Sequence, residues 1–172
     1  MKTIFKLSAF IFFSAFALVN NLYNYSITTA DGNDVSLDQY QGKKVLIVVL
    51  PVTKTSQDSV LLIAMDSIVK FGTAAVIGVP SYEDGFQDDS SESLTTWYRS
   101  LAGDSVVITQ GMNTRKGSPY QSDLFAWLTS KDLNGHFDQD VMGAGTKYLI
   151  NETGDLYGVA SPEALLTADF VK

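Results

Sequence analysis

Lys44-Val45-Leu46-Ile47-Val48-Val49-Leu50-Pro51-Val52-Thr53-Lys54-Thr55-Ser56 is the stretch from which the fold is read. Val45 to Leu50 is apolar without polar alternation, as in a strand buried on both faces of a parallel sheet. From Ser56 to Phe71, Val60, Leu61, Ala64, Ile68 and Phe71 recur at the spacing of one helix face. Ala74 to Val79 is a second continuous apolar strand, ended by Pro80. Strand, helix and strand in that order predict a right-handed crossover and a parallel central pair. The loop before the helix is the informative place. Where a strand runs into a helix N-terminus, free amides and the helix dipole stabilise a thiolate, and thiol-based redox proteins keep their nucleophile there. Here the position holds Thr55, and the chain contains no cysteine.

Working outward toward the N-terminus, Leu22 to Thr29 alternates in polarity and meets Ala30-Asp31-Gly32-Asn33-Asp34, a turn signal. Val35-Ser36-Leu37 then returns, so a β-hairpin opens the domain. In the other direction, an acidic loop spans Ser81 to Ser90 and a helix is predicted over Ser91 to Ala102. Ser105 to Thr109 reads as a short strand. Ser118-Pro119, with Gln121 at box-like spacing, predicts a helix running to about Ser130. Lys147 to Asn151 and Leu156 to Ala160 flank Glu152-Thr153-Gly154-Asp155 as a second hairpin. Ser161-Pro162-Glu163 caps a closing helix to Val171. The predicted order is βββαβαβαββα, an α/β sandwich with parallel and antiparallel parts.

Of 172 residues, 19 are acidic and 12 are Lys or Arg, a formal charge of −7. Such a chain is a poor binder of nucleic acid or anionic membranes, so neutral, cationic or protein partners are expected. Lys2 and Lys6, the apolar run Leu7 to Phe16 and Ala15-Phe16-Ala17 form a secretory signal with a small-x-small cleavage site. The apolar run is too short for a membrane span, and no cysteine follows it to take a lipid anchor. Residues 1–17 are therefore expected to be removed. Leu18 to Lys172 would remain as one secreted or periplasmic domain without a membrane anchor. Lacking disulfides, that domain must be held by its core.

In order along the chain, several strings resemble the glutathione peroxidase family of the thioredoxin fold. Leu22-Tyr23-Asn24-Tyr25, Asp31 to Leu37 and Tyr40-Gln41-Gly42-Lys43 are similar to the family's N-terminal stretch. Val79-Pro80 with Gly85-Phe86-Gln87-Asp88 follows, and then Gly145-Thr146-Lys147-Tyr148-Leu149-Ile150-Asn151 with Gly154. Tyr157 and Ser161-Pro162 carry the likeness to the C-terminal segment, so it covers most of the mature chain. The resemblance implies a thioredoxin-like three-layer sandwich with a central mixed sheet and an N-terminal β-hairpin. It also implies a peroxide-reducing tetrad of cysteine or selenocysteine, glutamine, tryptophan and asparagine. By position these correspond to Thr55, Glu83, Gly143 and Ala144, and all four differ.

Peroxide reduction needs an atom that survives oxidation as a sulfenic or selenenic acid, which a threonine hydroxyl does not do. Thr55 to Asp58 instead has the spacing of a capping box. No catalytic residue and no cofactor are expected. Glu83, with Asp84, Asp88, Asp89 and Glu92, makes an acidic rim that would repel anionic thiols or attract a cationic partner. An altered, non-thiol enzyme around Thr55 and Glu83 is the alternative, and it requires a raised Glu83 pKa in a closed pocket. Asp132, Asn134, His136, Asp138 and Asp140 alternate like an oxygen-rich cation loop. Gly143 stands where such a loop needs its last glutamate, and a plain surface loop is the simpler reading. His136 is the sole histidine, and no serine lies in a nucleophile elbow. Trp97, Tyr98, Tyr120, Phe125 and Trp127 are expected to pack on helices. Asn24-Tyr25-Ser26 and Asn151-Glu152-Thr153 fit the N-glycosylation pattern.

Overall fold

The structure is a computed structural model, described here for residues 20–167 and 169–171. The signal segment, 1–17, lies outside the described residues. Five strands form the main sheet in the order β5-β4-β3-β6-β7. They are β3 (Val45–Leu50), β4 (Ala75–Pro80), β5 (Val107–Ile108), β6 (Lys147–Ile150) and β7 (Leu156–Ala160). β3 and β4 run parallel, from Val45 opposite Ala75 to Leu50 opposite Pro80, while β6 lies antiparallel on the other side of β3. A separate hairpin pairs β1 (Ser26–Thr28) with β2 (Asp34–Ser36).

All six residues of β3 are buried because helices cover both faces of the sheet. Successive side chains point to opposite faces. Val45, Ile47 and Val49 join Leu124, Phe125, Trp127 and Leu128, all from α3 (Asp123–Thr129). Leu46, Val48 and Leu50 join Leu62, Met65 and Ile68 of α1 (Ser56–Lys70) and Leu94, Tyr98 and Ala102 of α2 (Ser91–Ala102). The result is the expected three-layer sandwich with a central mixed sheet and an N-terminal hairpin.

Three expectations need correction. No closing helix appears among the described residues of this segment: 162–163 and 169–171 are turns, and 164–167 are irregular. The Lys147 ammonium donates to the carbonyls of Ser161 and Pro162 at 3.1 and 3.2 Å, and those are the acceptors that a helix starting there would use. The helix predicted from Ser118 begins at Asp123, capped by Ser122, because Gln121 donates to the Thr114 carbonyl and the Thr129 hydroxyl rather than closing a box. A break at Ser130 then separates α3 from α4 (Lys131–Asn134). The opening strand is shorter than read, since Asn21 and Asn24 cap each other around a 3-10 turn at Leu22–Asn24.

The phase of α1 also differs. Leu62, Met65 and Ile68 face the sheet, whereas Val60 is 61% exposed and Phe71 is 71% exposed. The helix carries apolar residues on two faces. Which of them becomes core is decided by the sheet beneath.

Candidate functional site

The carboxyl ends of β3 and β4 are adjacent in the sheet, and Thr146, at the entry to β6, bonds beside them: the Val49 amide donates to its carbonyl at 2.9 Å. The segments bearing Thr55, Glu83, Gly143 and Ala144 therefore meet at one end of the central strands, where β3 and β4 finish and β6 begins. Their side chains do not form one reactive cluster.

Thr55 is the N-cap of α1. Its hydroxyl accepts from the Asp58 amide at 3.2 Å, and the Asp58 carboxylate accepts from the Thr55 amide at 3.1 Å and the Thr53 hydroxyl at 2.8 Å. Asp58 thus occupies the positive helix end at which a thiolate would be stabilised. Gly143 has φ of 111°, in the left-handed region, where a tryptophan would be strained. Its carbonyl accepts from the amide and the hydroxyl of Thr146.

Glu83 sits in a 3-10 turn after β4. Its carboxylate accepts from the Thr114 amide at 2.9 Å and from the Ser81 hydroxyl at 3.2 Å. Ser81 and Thr114 are fully buried, and their hydroxyls lie 2.8 Å apart. Burial pushes the Glu83 carboxyl up, but the bonds from Thr114, from its own amide and from the Ser81 hydroxyl outweigh it, so the pKa ends below the usual glutamate value. An exposed glutamate held ionised is the reverse of a general acid poised near neutrality. Next to it, Asp84 pairs with Arg115 at 2.8 Å. These contacts tie the chain after β5 to the end of β4.

The cation-loop candidate is corrected by Asn134. That side chain is buried, and its amide nitrogen donates to the carbonyls of Trp127, Leu128 and Phe137. Its oxygen accepts from the amides of His136 and Phe137, leaving no lone pair aimed at a cation. Asp138 pairs with Lys116, while Asp132 is exposed. Among the described residues no group of three or more His, Cys, Asp or Glu side chains is placed to hold a metal. Of the aromatics, Tyr98, Phe125 and Trp127 are core, Trp97 packs against the core, and Tyr120 is exposed. Asn24 is exposed, whereas the Asn151 oxygen accepts from the amides of Thr153 and Asp155 within its turn.

Two features were not foreseen from sequence. A cleft of about 520 Å³ opens beside the N-terminal half of α1. Val60, Leu61 and Ala64 form one wall, Pro162, Leu165 and Leu166 the other, and Ala144 and Lys147 also line it. Leu165 is 78% exposed. The side of α1 flanking its core face, with Val60 exposed and Leu61 and Ala64 partly buried, therefore makes an apolar wall. Lys147 is buried, and its ammonium donates to the carbonyls of Gly145, Ser161 and Pro162, with the first at 2.7 Å. Burial lowers its pKa, opposed by Glu163. Sequence reading met Lys147 only within a strand string, and no local signal marks a lysine that turns inward.

No family model matches the chain, and no curated protein matches it. Solved structures do. Trgpx in its apo form is 18% identical with a TM-score of 0.60, covering 84% of this chain and 87% of its own. GPX1 of T. cruzi is 16% identical with a TM-score of 0.59, covering 87% and 90%. A thiol:disulfide interchange protein of the thioredoxin family from Chlorobium tepidum is 16% identical with a TM-score of 0.60, covering 86% and 88%. This chain has the thioredoxin-like fold that these proteins share.

Proposed function

We propose that this is an exported, non-catalytic binding domain on a glutathione-peroxidase-like scaffold, using the cleft between α1 and residues 162–166. The observation that carries the reading is Thr55. In the reactive position of this fold stands a hydroxyl already spent on a helix cap, with a carboxylate rather than a cation at the helix end. The chain has no cysteine to take over the role. Fold likeness to redox proteins does not by itself assign their chemistry. The signal pattern at residues 1–17 supports export.

The cleft supports a neutral or cationic ligand or protein segment with apolar surface, since exposed Val60 and Leu165 flank it, Asp58 and Glu163 also line it, and Lys147 spends its donors on carbonyls. The altered-enzyme reading around Thr55 and Glu83 receives no support from geometry, because each residue serves its own structural network.

Two assays test the proposal on the purified mature protein. Peroxide consumption with glutathione or thioredoxin as reductant is expected to equal the protein-free rate, and turnover would overturn the reading. Nile red, a neutral apolar dye, is expected to brighten on the folded protein. Val60→Asp with Leu165→Asp, both at exposed positions, should abolish that signal. An unchanged signal in the double variant would remove the cleft from the proposal.

A further inference from the structure

A second, unrelated trough of about 710 Å³ runs between α2, the turn after β4 and the tip of the N-terminal hairpin. The hairpin reaches it because the edge of β5 is covered: the Ala30 amide donates to Ile108 and the Gln110 amide to Thr28. Its lining joins segments far apart in sequence, with Asp31, Tyr82, Phe86, Asp88, Glu92 and Arg99 as the side chains that decide its chemistry.

The rings of Tyr82 and Phe86 meet at 5.7 Å and 57° against Gly111. A Cβ on Gly111 would lie 2.5 Å from the Phe86 ring and 2.8 Å from that of Tyr82, so only glycine admits this aromatic pair. The Tyr82 hydroxyl donates to the Asp88 carboxylate at 3.0 Å and so orients it. Glu92, on the exposed first turn of α2, makes no hydrogen bond or ion pair among the described residues. The sole cation in the lining, Arg99, is bound to Asp31 at 2.5 Å, with Asp104 at 4.0 Å. Three carboxylates and one neutralised arginine leave the trough with a net charge of −2. Hydroxyls of Ser91, Thr95 and Thr96 continue the wall along α2.

An exposed tyrosine ring in a trough with two carboxylates free of ion pairs, Asp88 and Glu92, is complementary to a planar cation, which stacks on the ring and gives paired N–H donors to a carboxylate. At about 710 Å³ the trough holds more than one side chain, and the hydroxyls of Ser91, Thr95 and Thr96 with the Gln110 side chain suit the flanking main chain. We propose that it docks an extended, arginine-bearing segment of a basic partner protein, with the guanidinium over Tyr82 between Asp88 and Glu92. This goes beyond the apolar cleft and stands or falls separately from it.

The test is fluorescence anisotropy of a labelled nonapeptide of alanine, serine and glycine with two central arginines, titrated with the mature protein at low and physiological salt. Binding that weakens with salt is expected. Replacing both arginines by citrulline, which keeps the shape without the charge, should cost about tenfold or more, the loss of charge-assisted bonds. Glu92→Gln, a change at an exposed position, and Asp88→Asn should each weaken binding roughly five- to tenfold. Tyr82→Phe, which keeps the ring, should lose less than Tyr82→Ala. Equal binding of the citrulline peptide, or no effect of Glu92→Gln, would overturn the proposal. So would binding of spermidine without binding of the peptide, which would assign the trough to small polyamines.

Discussion

Replacing Thr55 by alanine removes the one acceptor for the Asp58 amide and leaves the reciprocal bond from the Thr55 amide to the Asp58 carboxylate in place. Half of the capping box is lost at an exposed position, so the cost should be that of an ordinary cap, about 1 kcal/mol. For a domain of this size that is a fall in Tm of roughly 2–4 °C. Urea unfolding followed by circular dichroism reads it directly, with an unchanged m-value. The same geometry constrains a thiol placed there. In Thr55→Cys, the Asp58 carboxylate sits where a thiolate would gather the helix amides, so the thiol should stay near its ordinary pKa of about 8.5. Adding Asp58→Asn should lower it by about 1 pH unit, measured by the pH dependence of iodoacetamide alkylation. The reasoning fails on either of two results: a Thr55→Ala protein as stable as the parent, or a Thr55→Cys thiol already strongly acidic with Asp58 intact.

Lys147→Met should destabilise the fold by roughly 2 kcal/mol, because three carbonyls lose their donor while the cost of burying a charge is relieved. The loss should be accompanied by proteolytic nicking within 161–167 before global unfolding, seen by mass spectrometry; a neutral substitution would mean that Lys147 does not hold that segment. For Glu83, the folded pKa lies below the unfolded one, so the stability it contributes is full above the unfolded value near 4.5 and is lost as pH falls through the folded value. Glu83→Gln should therefore lower stability at pH 7 and flatten its decline below pH 4.5, read by thermal melts from pH 3 to 7. Parallel curves for the two proteins would contradict it.

Much of the architecture is legible from local pattern. The uninterrupted apolar runs at Val45–Leu50 and Ala75–Val79 are strands because no amphipathic alternative suits them, and α2 spans Ser91–Ala102 as its pattern predicts. The cap at Thr55 is readable because a capping box is an interaction over three residues, and the absence of a thiol needs no structure. Only the folded chain decides the rest. The pattern of α1 allows two apolar faces, and the sheet selects Leu62, Met65 and Ile68, leaving Val60 exposed and Leu61 and Ala64 at the core margin, where all three line a cleft. The helical signal at Ser161-Pro162-Glu163 is overruled by an ammonium that approaches from β6, fourteen residues away from Ser161. The trough draws on residues from Ala30 to Gly111, which no spacing rule connects. Propensity and capping act over a few residues and survive in any context, whereas burial and complementarity exist only between segments that the fold has brought together.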